Sequence, residues 1–127
     1  TVNLVSVLPR LEAAGINVKV VAAVSQALFD RQPEAYRTSV LPPDSKYDLM
    51  IVNTGTRRVW PVEHVGPLTD EYSLVSDWHD RWLTGGTETD VIAEAHFDPE
   101  SIFAGIKRFA DEREQRLTRQ RDALAGL

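Results

Sequence analysis

With 127 residues, 43% of them hydrophobic, the chain has enough apolar material for one domain with a core, and its net charge of −5 excludes a broad attraction to phosphate backbones or anionic lipid. The absence of Cys excludes disulfides, thiolate nucleophiles and Cys-ligated zinc, and is compatible with the cytoplasmic localisation expected here. No apolar run approaches the roughly 20 residues of a membrane span and no charged-then-apolar leader is seen, so neither nucleic acid nor membrane is an expected partner.

The apolar pattern begins almost at once with Val2, Leu4 and Val5 behind a Thr, as expected of a piece of a longer polypeptide. Leu4, Val7, Leu8 and Leu11 follow helical spacing and predict a helix to Ala14, stopped at Gly15. Pro9 removes one hydrogen bond from that helix and predicts a kink or a late start. Ile16 to Val24, INVKVVAAV, is β-branched and nearly continuous, which predicts a central strand covered on both faces. Ser25 is placed to cap a short helix through Phe29, and Pro33 to open a second helical piece that Pro42 and Pro43 stop.

Asp48–Asn53 and Tyr72–Ser76 read as two further short strands. Between them Val59, Trp60, Val62 and Val65 have the spacing of a short helix ending at Gly66, with Pro61 at an awkward place. Thr87 is positioned to cap a helix through Ala95 that buries Val91 and Ile92. Asp98, Pro99 and Glu100 combine a cap, a first-turn proline and an early carboxylate, and Ile102, Phe103, Ile106 and Phe109 give the helix they open one apolar face. From Asp111 to the end the chain is dense in both signs of charge, which suits a solvated helical extension or a fraying tail. The alternation of strands and helices predicts an α/β fold, mostly parallel, with helices on both faces in three layers; the domain is expected over 1–110 and a charged extension over 111–127.

The stretch Gly15 to Pro42 resembles transketolases. Leu28, Phe29, Asp30, Gln32, Tyr36, Ser39, Val40, Leu41 and Pro42 reproduce in order the family's LFD-Q-x-x-Y-x-x-SVLP pattern behind a strand and a Ser-capped helix. The similarity continues more weakly through the second strand, Trp60, Val65 and Gly66, the third strand and the last helix, and so covers most of the chain. The chain departs from the family in three places. The family's opening strand and Gly-Ser turn are missing; DWHDRWLTGGTETD, Asp77 to Asp90, replaces a Phe-Gly and Ser-Ala-Pro run; and His96 and Phe97 stand near a Phe-Gly pair.

The resemblance implies the carboxy-terminal domain of a transketolase-type homodimer that moves a two-carbon ketol unit between sugar phosphates. It implies that thiamine diphosphate and a divalent metal bind in the preceding domains, that no residue of this chain is catalytic, and that the chain alone is inactive. The expected partners are those preceding domains and a second protomer. The alternatives are a free-standing α/β module binding a phosphorylated metabolite, or a subunit of a split thiamine diphosphate enzyme.

Few side chains suggest chemistry of their own. Thr54, Gly55 and Thr56, followed by Arg57 and Arg58, lie just behind a strand, where amides and guanidinium groups suit an anion; a strand-to-helix connection also needs a Gly for geometry alone, and no Walker or G-x-G-x-x-G pattern is present. Asp77, His79 and Asp80 have no recognised metal spacing and read as an exposed or domain-contact loop, so no metal site is expected. Glu63 beside His64 is either a general acid–base pair or a plain surface pair. No G-x-S-x-G elbow surrounds any Ser. Trp78 and Trp82, in the loop that departs most from the family, are either core residues or, as the resemblance implies, interface anchors towards the preceding domains or the second protomer.

Overall fold

The computed structural model describes residues 2–56, 60–61, 64–76, 81 and 83–127. Helix α1 runs Val2–Ala13 and includes Pro9, so the late start expected from that proline does not occur. It ends where Gly15 takes φ +73°, with Gly15 N–H donating to Glu12 O and Ile16 N–H to Leu11 O. This pair of bonds closes the last turn as a Schellman motif, which needs the left-handed conformation that glycine adopts most cheaply.

The predicted central strand is not formed. Residues 16–24 carry no ladder, and among the described residues their amides bond only at the ends, Ile16 to Leu11 O and Val24 to Ala22 O. Ile16 and Val18 pack on the core, while Val20 is 46% and Val24 92% exposed. A β-branched run favours a strand only if another strand lies alongside, and none does so among the described residues.

Helix α2, Gln26–Asp30, starts at Ser25 as predicted, with Ser25 Oγ accepting from Leu28 N–H at 3.4 Å. Helix α3, Glu34–Val40, follows Pro33 and stops before the two prolines. Pro43 then opens a 3₁₀ turn, Pro43–Tyr47, too short for sequence periodicity to predict. Strand β1 is Val52–Asn53, shorter than the run Asp48–Asn53. Helix α4, Thr69–Tyr72, takes up the first residue of the expected third strand, leaving β2 as Leu74–Val75. The two strands pair in parallel, Val52 opposite Leu74 and Asn53 opposite Val75. Of the helix expected around Trp60, the described part contains an i→i−3 bond from His64 N–H to Pro61 O, and Val59 and Val62 lie outside the described residues.

Helix α5, Glu88–Glu94, has a full capping box in which Thr87 and Asp90 satisfy each other's backbone amides; Val91 and Ile92 are half-buried and Ala95 is buried. Helix α6, Pro99–Asp111, starts as predicted, with Asp98 accepting from the Ser101 amide at 2.9 Å and the Ser101 hydroxyl at 2.6 Å. Ile102 and Ile106 of α6 meet Val7 and Leu11 of α1 to form the core, flanked by Leu4, Leu8, Met50, Leu74 and Phe103. Arg10 locks the two helices at their edge, lying 4.4 Å over the Phe103 ring and binding both oxygens of Glu100.

The charged end of the chain forms α7, Arg113–Ala125. Its buried side chains are Arg116, 1% exposed, and Gln120, 4%. The Arg116 guanidinium sits 3.7 Å over the Phe109 ring, 2.8 Å from Asp48 Oδ1, and donates to Phe109 O. Gln120 donates to Tyr47 O at 2.7 Å. A buried guanidinium is tolerated when a carboxylate, carbonyls and an aromatic face replace much of its lost hydration; here they serve the two terminal nitrogens, while Arg116 Nε is buried and meets no acceptor among the described residues. The result is an α/β fold with a small parallel sheet backed by helices, and no helix among the described residues is long and apolar enough to cross a membrane.

Candidate functional site

In a parallel pair the carboxyl ends of the strands open onto loops that are free to hold a ligand. Here β1 runs into Thr54, Gly55 and Thr56, and β2 into Ser76. Ser76 Oγ donates to Thr54 O at 2.6 Å and ties the two loop starts together. Asn53 Oδ1 accepts from Gly55 N–H at 3.1 Å, turning the chain back over its own side chain. Beside this turn a cavity of about 250 Å³ is lined by Ala23, Gln26, Asn53 and Trp60. The Trp60 indole N–H is buried and meets no acceptor among the described residues.

Thr54, Gly55 and Thr56 are exposed at this edge, while Arg57 and Arg58 lie outside the described residues. The Gly55 amide already donates to Asn53, so it is not presented to solvent as a ready anion donor. His64 does have a carboxylate nearby, but it belongs to Asp30 at the end of α2, with Nε2 to Oδ1 at 3.7 Å, and Glu63 lies outside the described residues. At that distance the pair is an ionic contact only when His64 is protonated, and not a hydrogen bond. Nothing in the sequence spacing joins Asp30 to His64, which lie 34 positions apart. Trp78, Trp82, Asp77, His79 and Asp80 all lie outside the described residues. Among the described residues no group of three or more His, Asp or Glu side chains is arranged to hold a metal.

Among the described residues, the groups near this edge offer hydrogen bonding and a shallow cavity. A model of the transketolase-like C-terminal domain matches residues 3–71, more than half of the chain. The chain belongs to the transketolase-like C-terminal domain family. The match runs from α1 through α4 and contains the Gly15–Pro42 stretch with its LFD and SVLP elements. No curated protein and no solved structure matches the chain significantly.

The denser polar cluster lies at the opposite, amino-terminal ends of the strands. Arg113 Nε donates to Asp48 Oδ2 at 2.6 Å and Arg119 binds both oxygens of Glu71 at 2.9 and 2.8 Å. Arg119 holds the Glu71 carboxyl below the usual carboxylate range, chiefly through those hydrogen bonds. Arg108 reaches Glu71 at 3.6 Å and lies over the Tyr72 ring, whose hydroxyl donates to Glu112. Charge density alone does not separate this anchored helix from a solvated one; its signal is visible only once Asp48 and Glu71 are placed.

Proposed function

We propose that this chain is the non-catalytic structural and interface domain at the carboxy end of a transketolase-type enzyme, which transfers a two-carbon ketol unit between sugar phosphates. Thiamine diphosphate and its divalent metal belong to the preceding domains, and the working enzyme is a homodimer. In that setting residues 1–110 form the domain, three-layered with a mostly parallel sheet in the assembled enzyme, and 111–127 extend it.

One observation carries the reading. Of the large apolar side chains that stand exposed among the described residues, Val2, Val5, Val20, Val24, Leu28 and Tyr36 fall in the first 36 residues, inside or beside the family match, and Leu124 and Leu127 lie at the chain's end. Exposed apolar side chains such as these, with Val20 and Val24 on a segment whose amides make few backbone hydrogen bonds among the described residues, cost free energy in water and gain it against a partner. Trp78 and Trp82 extend this reading as further anchors to the preceding domains or the second protomer. The test is assembly: the preceding domains of the parent, expressed separately, should capture this chain, and neither piece alone should transfer ketol units. Turnover by the chain by itself would overturn the assignment.

A further inference from the structure

Helix α7 grips the molecule at two places, and both lie directly ahead of a strand. Arg113, Arg116 and Gln120 hold Tyr47 and Asp48, at the end of the 3₁₀ turn that leads to β1. Arg119 holds Glu71, in the short α4 that leads to β2. Almost nothing apolar assists: Arg116 and Gln120 are the buried side chains of α7, Leu117 is half-buried, and Leu124 is 42% exposed. A helix seated on charge and amide hydrogen bonds depends on ionic strength in a way that a helix seated on leucines does not.

We propose that α7 is a salt-releasable clamp on the amino-terminal ends of β1 and β2, through which ionic contacts of the last helix control the β1–β2 pairing and the contact of Ser76 with Thr54 beyond it. Arg113–Asp48 and Arg119–Glu71 are partly exposed, so salt screens them. Arg116 is shielded from salt, but it stays buried only while Asp48, the Tyr47 and Phe109 carbonyls and the Phe109 ring are held against it. Once the outer pairs weaken, hydration of the free guanidinium favours release. The effect reaches the far edge because the strands are only two residues each. Ile51 N–H bonds to Ser73 Oγ, Leu74 N–H to Ile51 O, and Ser76 Oγ to Thr54 O, so loosening Asp48 and Glu71 loosens both ends of one short ladder.

Amide hydrogen exchange of the 127-residue chain, read residue by residue from about 0.05 to about 1 M NaCl, tests this, because the screening length falls several-fold over that range. Exchange across residues 117–123 should accelerate at least about tenfold, with the Leu74 and Gly55 amides following by about threefold, while Leu11 and Ile106 stay protected. A chain carrying Arg113→Gln and Arg119→Gln should show the same pattern already at low salt. Salt-independent exchange in α7 overturns the proposal, as does acceleration of α7 together with α1 and α6, or release of α7 that leaves Leu74 and Gly55 unchanged. If the double variant does not fold, the salt series on the unaltered chain still decides among these results.

Discussion

His96 is the one non-glycine residue described with a positive φ, at 60°. It closes α5 as Gly15 closes α1: His96 N–H donates to Ala93 O and Phe97 N–H to Ile92 O. The two caps make opposite predictions. Gly15→Ala meets no atom within 4 Å of the new Cβ, so its whole cost is backbone strain, about 1 kcal/mol. His96→Gly relieves the same strain and should raise stability by about 0.5 kcal/mol, both read from urea unfolding. At Asp98 the Ser101 hydroxyl first, and the Ser101 amide second, hold the carboxyl below its ordinary range. A depressed folded-state value stabilises the fold above the unfolded carboxylate range and loses that contribution as pH falls through the folded value. Asp98→Ala should therefore cost about 1 kcal/mol near neutral pH, with the difference from the unaltered chain shrinking once pH drops below about 4.

At the scale of elements, helix ends were legible because their signals are local. Ser25, Pro33, Thr87, Asp98 and Gly15 each act within a few residues, and each marks an observed boundary. Strand pairing is not local, so INVKVVAAV carries the composition of a strand without the neighbour that would make it one. The 3₁₀ turn and α4 escaped notice for the related reason that both are too short for periodicity to register. The seating of α7 could not be read either, since Arg116 and Tyr47 lie 69 positions apart. That seating ranks its arginines. Arg116→Ala strips the buried cation from the Phe109 ring and should cost about 2–3 kcal/mol, tempered because Arg113 still pairs with Asp48. Arg113→Ala removes a more exposed pair and should cost no more than about 0.5 kcal/mol. Equal costs in thermal unfolding would mean that α7 is not anchored through Arg116. Gly66 adds a steric check on the same region, because a Cβ there would stand 2.3 Å from Lys46 O, so Gly66→Ala must push the loop away from the 3₁₀ turn.

For the whole molecule, the candidate site was only partly legible. Thr54–Thr56 do lie at the strand ends as read, but the sequence did not indicate that Asn53 would take the Gly55 amide or that Asp30 would approach His64. The family was legible because its residues recur in order between Gly15 and Pro42, a stretch whose match depends on spacing and not on which strands finally pair. The distribution of exposed apolar residues, heavily weighted to the amino-terminal third, is what makes an interface the central claim. Its most direct test is sedimentation velocity of this chain titrated onto the separately expressed preceding domains of the proposed parent enzyme. The account predicts a dimeric complex that includes the chain, with Val24→Glu and Leu28→Glu together weakening its capture by at least about tenfold, or about 1.4 kcal/mol. A chain that sediments alone at every concentration, or a charged variant captured as tightly as the unaltered one, would contradict it.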